Sequence, residues 1–354
     1  MAFRKTATKP AFSAAPVKAQ AGRASQVGSL FSYSVGAGVQ AALTVPTISR
    51  ARDLIVSMVG ALMLRQYSHV NTPAGGEVVE LPLETWMSRP NPDVTPGFTY
   101  SRTASDLFMF GRAFWYVKTR YANGFPASFE WMPAANVTTA DQAGPFWFGP
   151  SQDIYFNGFK LPTNDVIQFL SPIDGILATG QRAIDIALRL DQAARRFATN
   201  EIAAGYLRQV GGEPMSGEEL GDLAAAWSDA RKTNAIGALN EHVTFVEFNS
   251  DPSKLQLQEG RQHAALELSR VANIPPYLVG IPTGGMTYQN AQQARQDLYL
   301  FGAKPYIQCI EQTLSLPNVL PRGRHVEFDV DTYLRSWSVD DTPAPAEVPV
   351  NDQV

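Results

Sequence analysis

Two adjacent prolines, Pro275 and Pro276, fall between two long stretches of helical periodicity and constrain this chain more than any other feature. Proline has no N–H to donate and its ring collides with the preceding turn, so a helix read over 252–272 must stop there. Pro282 next to Gly284-Gly285 then favours an irregular turn. Helical spacing resumes at about Asn290 and runs to Leu314, with a kink expected near Lys304-Pro305. The result is a hard stop, a Gly/Thr-rich tip and a second long helix, a pattern that by itself does not reveal a purpose.

The rest of the chain reads as an α+β protein. Val45-Pro46-Thr47 opens a helix whose apolar face is Ile48, Ala51, Leu54, Ile55, Met58, Val59 and Leu62. His69 to Gly76 reads as a turn, Glu77 to Leu83 as a weak strand, and Leu83 to Met87 as the start of a short helix that Arg89-Pro-Asn-Pro92 must end. Thr95 with Pro96 caps a helix that runs to Gly111, with Phe98, Thr99, Leu107 and Phe110 on its apolar side. Ala113 to Tyr121 and Ala127 to Met132 flank Asn123-Gly124 as a hairpin, and Trp147 to Phe148, Ile154 to Phe156 and Val166 to Leu170 are further strands. Gln181 to Ala204 is an amphipathic helix with acid-first pairs Asp185/Arg189 and Asp191/Arg195. Tyr206 to Val210 is a strand, Ser216 and Glu219 form a capping box opening a helix over 217–231, and Val243 to Phe248 is another strand. Arg324 to Val330 is a late strand.

Charge is unevenly placed. Residues 1–52 carry seven Lys/Arg and no acid, which leaves 22 bases against 33 acids, a net of −11, for the remainder. Tight DNA binding by phosphate neutralisation needs clustered bases, which that body lacks. The first 30 residues also fit an organellar transit peptide in composition, but Pro10 and Pro16 interrupt any long amphipathic helix and favour a disordered or partner-clasping arm. The longest apolar run, Leu54 to Leu64, has eleven residues, short of the roughly 20 that span a bilayer, so it reads as a buried helix and no membrane partner is expected. One cysteine, Cys309, excludes an internal disulfide, and His69, His242, His263 and His325 offer no metal-ligand spacing.

Several chemical signatures fail on context. Gly36-Ala-Gly38-Val-Gln-Ala41 matches the dinucleotide fingerprint, but Pro46 falls where its helix should be well under way and Asp53 lies within a helix rather than at a strand end. There is no phosphate-binding G-x₄-G-K-[ST] loop and no G-x-S-x-G elbow. Cys309 sits on an apolar helix face beside Ile307 and Ile310. Glu218-Glu219 suits a helix start and Asp340-Asp341 a solvated tail. The expectation is no catalytic residue, no cofactor and no metal. Two other readings stay open: a nucleotide-binding enzyme using the Gly36-Gly38 segment, and a monomeric adaptor.

Four motifs in order point to a family. Arg89-Pro-Asn-Pro-Asp-Val-Thr95 precedes Asp106-Leu-Phe-Met-Phe-Gly-Arg-Ala-Phe114; Val166-Ile-Gln-Phe-Leu170 precedes Asp174-Gly175 and Gly180. Ile274-Pro-Pro-Tyr-Leu-Val-Gly280 then precedes Thr287-Tyr-Gln-Asn-Ala-Gln-Gln293. The series resembles tailed-bacteriophage portal proteins over about residues 45–336. Gln168, where that family often has His, and Gln181-Arg182-Ala183 at a helix entry are departures.

The resemblance implies a portal-type α+β fold assembled as a ring, usually of twelve. Its parts would be a basic arm (1–40), an α+β wing (41–180), a stem of two helices (181–204 and 254–280), a small α/β clip (205–253) and a tunnel loop (281–289). A long kinked helix with a wing return strand (290–336) and a disordered acidic Pro-rich tail (337–354) complete the chain, with little room for a helical crown. The tunnel loop would be Ile281, Pro282, Thr283, Gly284, Gly285, Met286, Thr287, Tyr288 and Gln289, and the clip would dock partners through Glu218, Glu219 and Asp222. Implied partners are further copies of the chain, a major capsid protein, the terminase large subunit, a head-tail connector or adaptor protein, and double-stranded DNA passing non-specifically through the channel. The implied place is the capsid portal vertex of the virion, after assembly in the host cytoplasm.

Overall fold

The computed structural model describes residues 35–72, 75–142, 149–198, 205–232, 242–247, 256–282 and 291–335. Helices α1 (Val35–Leu43) and α2 (Pro46–Ala61) lead into strands β1 (Leu64–Thr72) and β2 (Gly75–Leu81). A short helix α3 (Thr85–Ser88) and helix α4 (Pro96–Phe110) precede β3 (Arg112–Arg120), β4 (Pro126–Met132), β5 (Val137–Thr139), β6 (Ile154–Phe156), β7 (Phe159–Leu161) and β8 (Val166–Leu170). Next come α5 (Ile176–Thr179), α6 (Gln181–Ala198), β9 (Gly205–Gln209), α7 (Gly217–Lys232), β10 (Val243–Glu247) and α8 (Leu257–Val271). Helix α9 (Ala291–Asp297), a π-helical segment (Leu298–Ala303), α10 (Lys304–Leu314), β11 (Arg324–Phe328) and α11 (Val330–Arg335) follow. The chain divides into two compact units, Met1–Arg182 with Leu266–Val354, and Ala183–Ala265.

Among the described residues the first unit holds three antiparallel three-stranded sheets, in the orders β11-β1-β2, β4-β3-β8 and β5-β6-β7. Strand β3 is buried on both faces, with Ala113, Trp115 and Val117 on one side and Phe114 on the other. Trp115 meets Phe129 at 5.2 Å and Phe169 at 4.9 Å between ring centres, and its indole N–H donates to Thr103 Oγ1 at 2.7 Å. Phe114 packs into a smaller cluster with Met132, Val137, Ile154 and Val166, so one strand serves two cores.

Helix α4 begins as the sequence dictates. Thr95 Oγ1 accepts the Phe98 N–H at 3.3 Å, Pro96 occupies the first turn, and Gly111 ends the helix at φ 73°. It crosses α2 closely: a Cβ on Gly97 would lie 2.8 Å from the Gly60 carbonyl oxygen. The motif glycines have a similar cause. A Cβ on Gly175 would meet the backbone of Phe110 and lie 2.5 Å from the Met109 oxygen, and one on Gly180 would lie 2.8 Å from the Ile176 oxygen.

Among the described residues of this unit Asp106 is buried and Glu311 half-buried. Asp106 Oδ2 accepts the Trp131 indole N–H at 3.0 Å and the Ala134 N–H at 2.9 Å; Glu311 Oε1 accepts the Phe328 N–H at 2.7 Å. Burial pushes each up to about 7, against the pull of those hydrogen bonds and, for Asp106, of the nearby Arg102 and Arg112 charges.

In the second unit β9 pairs antiparallel with β10, Gly205 opposite Glu247 and Gln209 opposite Val243. The Gln209 side chain organises the following turn, donating to the Gly211 and Glu213 carbonyls at 3.0 and 2.6 Å and accepting from the Met215 N–H at 3.1 Å. Asp185 and Arg189 pair at 2.8 Å along α6, and Asp191 pairs with Arg261 of α8 at 3.1 Å. Gly260 lets α8 lie against Leu190, which a Cβ would approach to 3.4 Å.

Some expectations need correction. Residues His69 to Gly76 are not a turn: His69–Thr72 belong to β1 and Gly75-Gly76 to β2, with only 73–74 between them, outside the described residues. The buried face of β1 carries Gln66, only 1% exposed, and a polar residue there hides the alternation. The Leu54 to Leu64 run is not one helix; α2 ends at Ala61 and Leu64 starts β1. Phe98 is 41% exposed rather than on the apolar side of α4. Strands β5 and β7, three residues each, carry too few residues for a period. Residues 147–148, 199–204 and 252–255 lie outside the described residues.

Two outcomes are expected. Gly175→Ala forces a Cβ into the α4 backbone and should lower the stability of the chain by about 1–3 kcal/mol in denaturant titration. For Asp106 and Glu311 the native pKa exceeds the unfolded one, so between about pH 4 and 7 the native state holds more protons. Their contribution to stability is present below the unfolded value and is lost as pH rises towards 7; Asp106→Asn should flatten the decline in melting temperature over that window.

Candidate functional site

The helix stop is built from two matching caps. Helix α8 ends with Asn273 in the left-handed region at φ 53°, its N–H donating to the Arg270 carbonyl at 3.1 Å and the Ile274 N–H to the Ser269 carbonyl at 3.0 Å. Those two bonds form a Schellman cap, with Asn in the position glycine usually takes and Ile274 buried beneath it. Pro275 and Pro276 then set a 3₁₀ turn over Pro276–Val279, closed by Gly280 at φ 85° and by the Ile281 N–H on the Pro276 carbonyl at 3.0 Å.

Side chains from this stop reach the helix on the far side of the loop. The Tyr277 hydroxyl donates to Asp297 Oδ2 at 2.7 Å. Burial, with the Asp297 hydrogen bond and charge adding to it, pushes the phenol up to about 12, so it holds its proton near neutrality. The Asn273 amide donates to the Phe301 carbonyl at 2.5 Å. Pro305, four residues beyond Phe301, has no N–H to offer that carbonyl, and the helix widens into its π-helical segment there. The expected break near Lys304-Pro305 thus takes the form of a π turn over Leu298–Ala303, just before the proline.

Of the proposed loop residues, Ile281 is half-buried and Pro282 exposed; Thr283, Gly284, Gly285, Met286, Thr287, Tyr288 and Gln289 lie outside the described residues. Asn273, Tyr277, Asp297 and the Phe301 carbonyl join the site through the fold, since sequence reasoning gave none of them a part in it. A proline four residues after a helical carbonyl was the available signal for the last.

In the other unit, α7 starts with the expected capping box. Ser216 Oγ accepts the Glu219 N–H at 3.3 Å, and Glu219 Oε2 accepts the Ser216 N–H at 2.8 Å and its hydroxyl at 2.9 Å. The backbone and side-chain hydrogen bonds from Ser216 hold the Glu219 carboxyl below its ordinary range. Glu218, Glu219 and Asp222 are all exposed, but Glu219 is engaged in capping, whereas Glu218 and Asp222 present their carboxylates to solvent.

Other candidates lack the geometry their chemistry needs. Gly36 and Gly38 lie inside α1 rather than in a turn before a helix, which removes the arrangement a dinucleotide requires. Cys309 is buried, donates to the Leu170 carbonyl at 3.1 Å, and has its thiol pushed up to about 12 by burial. A cleft of about 730 Å³ beside β8 has one lining carboxylate, Asp165, and it pairs with Arg120 at 3.0 Å. Among the described residues no cluster of His, Cys, Asp and Glu could hold a metal, and no helix is long and apolar enough to cross a membrane.

The phage portal protein family model matches residues 46–341. A probable portal protein of Streptomyces phage phiC31 is 25% identical over 197 residues, 53% of this chain; the match spans 42% of that relative, less than half its length. A crystal structure at 2.9 Å of an HK97-family phage portal protein from Corynebacterium diphtheriae is 25% identical, with a TM-score of 0.66 over 86% of this chain and 97% of that one. A chain in the neck of a native gene transfer agent particle, computed with C12 symmetry, shares the fold at a TM-score of 0.56 and 17% identity, covering 83% of this chain and 84% of that chain.

Removing the two cross-links should loosen the root of the loop without unfolding the unit. Asn273→Ala and Tyr277→Phe should each speed amide exchange in residues 281–297, with the double variant faster than either, while exchange in α4 stays unchanged.

Proposed function

The chain belongs to the phage portal protein family, a structural rather than enzymatic family, and from that premise we propose that it forms the ring at one capsid vertex through which DNA is packaged and ejected. Portal and virion-neck proteins are its relatives in fold, which agrees with a place in the virion. A ring of twelve is the number in keeping with the twelvefold symmetry of the related neck. Such a ring is closed by heterologous contacts between two different faces of each copy. In this reading residues 41–180 and 290–336 make the wing, 181–204 and 254–280 the stem, 205–253 the clip and 281–289 the tunnel loop.

The observation that carries the reading is the doubly cross-linked root of the loop. A segment that touches moving DNA needs an adaptable tip and a fixed base. The sequence supplies the tip with Gly284, Gly285 and small polar residues, and Tyr277–Asp297 with Asn273–Phe301 supply the base. The excess of acids after residue 52 adds to it: a negative wall repels phosphate and favours sliding over capture. The clip would receive the terminase large subunit and later the connector protein through Glu218 and Asp222, the two acids of the set not tied up in a cap. Contacts with the major capsid protein, and assembly in the host cytoplasm before incorporation into the virion, belong to the same proposal.

The test pairs a mass with a deletion. Native mass spectrometry should give a closed oligomer near twelve copies, and a monomer would favour the adaptor reading. Deleting Gly284 to Thr287 should leave that mass unchanged and cut packaged or retained DNA by an order of magnitude or more. Full packaging by the deleted ring would remove the tunnel-loop role.

A further inference from the structure

Helix α4 and strand β4 build a partly exposed aromatic platform that has no part in the two caps. Phe98, Arg102 and Asp106 are four residues apart on one face of α4. The Arg102 guanidinium lies over the Phe98 ring at 5.1 Å and over the Trp131 ring at 5.7 Å, and those two rings meet edge to face at 6.2 Å and 89°. Asp106 fixes the indole by accepting its N–H. Phe98 is 41% exposed, Arg102 is exposed, and among the described residues Arg102 forms no ion pair. The surface therefore offers the exposed Phe98 ring, the half-buried Trp131 ring at right angles to it, and an exposed guanidinium stacked on both.

That combination selects a partner chemistry. Perpendicular aromatic faces suit proline rings, which dock in an extended backbone that loses little entropy on binding. A guanidinium held by two rings is prepared for a carboxylate, with its geometry already set. The C-terminal segment of this chain carries both groups and no opposing charge. Residues 337–354 contain Pro343, Pro345 and Pro349 with Asp340, Asp341, Glu347 and Asp352, and no Lys or Arg. We propose that the Phe98-Arg102-Trp131 platform is the docking site for the acidic, proline-rich residues 337–354 of this chain, with proline rings on the aromatic faces and a carboxylate on Arg102. The contact is weak when each group is taken alone and gains from the tether that joins tail to body, which replaces a bimolecular encounter with a local one. It concerns a surface apart from the loop and the clip residues, so its failure would leave the channel role untouched.

Photo-crosslinking of the full-length chain tests this. With p-benzoylphenylalanine in place of Val348, irradiation should give cross-links that mass spectrometry maps to residues 96–110 and 126–132. Arg102→Ala and Phe98→Ala, both at exposed positions, should each reduce the yield several-fold, as should Asp340→Asn with Asp341→Asn, and raised salt should do the same in the unaltered tail. Cross-links that map elsewhere, or a yield indifferent to these substitutions, overturn the proposal. So does a platform variant that changes the oligomer mass and leaves the cross-link intact, because the platform would then be a contact between copies.

Discussion

The pairing of β1 with β11 is the constraint on which the first unit depends. Leu64 to Ser68 lie antiparallel to Phe328 to Arg324, and at the end of that ladder Arg65 meets Asp329 at 2.6 Å while the Asp329 N–H donates to the Met63 carbonyl at 2.8 Å. Closing a loop of that length costs entropy that grows only with the logarithm of its size, so the cost is modest beside the apolar surface the strands bury. Leu64, Val326 and Phe328 supply that surface, and Phe328 continues it edge-on to Tyr100 of α4. The Arg65 pair itself is partly exposed and contributes little by comparison.

Glycine and proline carry the design of the remainder because backbone approach limits it. Gly97 against Gly60 and Gly175 against the end of α4 are places where one helix or turn meets another main chain directly. At Pro305 the missing N–H, rather than a missing side chain, is what matters. The carbonyl it leaves to another donor becomes the anchor for Asn273, so one proline both interrupts a helix and creates a tie across the loop.

How much of this was readable in advance depended on whether a feature was local. The Thr95 cap, the Gly111 stop, the Asn123-Gly124 hairpin, the Ser216/Glu219 box and the Pro275-Pro276 break all rest on residues within a few positions of one another, and all are present in the structure. Strand β1 was missed because its inward position 66 is a glutamine, and its partner β11 lies far along the sequence. At the candidate site the residues were visible but their roles were not. Folding brings Phe301 beside Asn273 and Asp297 beside Tyr277, contacts across the loop that no local pattern shows. Glu219 is marked by its place three residues after Ser216, and the structure adds that the cap occupies its carboxylate while Glu218 is left to solvent.

The two ties at the root of the loop also have a mechanical meaning. Any sideways load borne by the segment between Pro282 and Ala291 reaches its root as a bending moment, as at the wall of a bracket. Tyr277–Asp297 and Asn273–Phe301 fasten that root at two points on the outgoing helix, one on α9 and one on the π turn. A moment is then resisted as a couple, two opposed forces a helical turn apart, and not by a single hinge. Under such a load the two ties hold the end of α8 and the 3₁₀ turn after it against the outgoing helix.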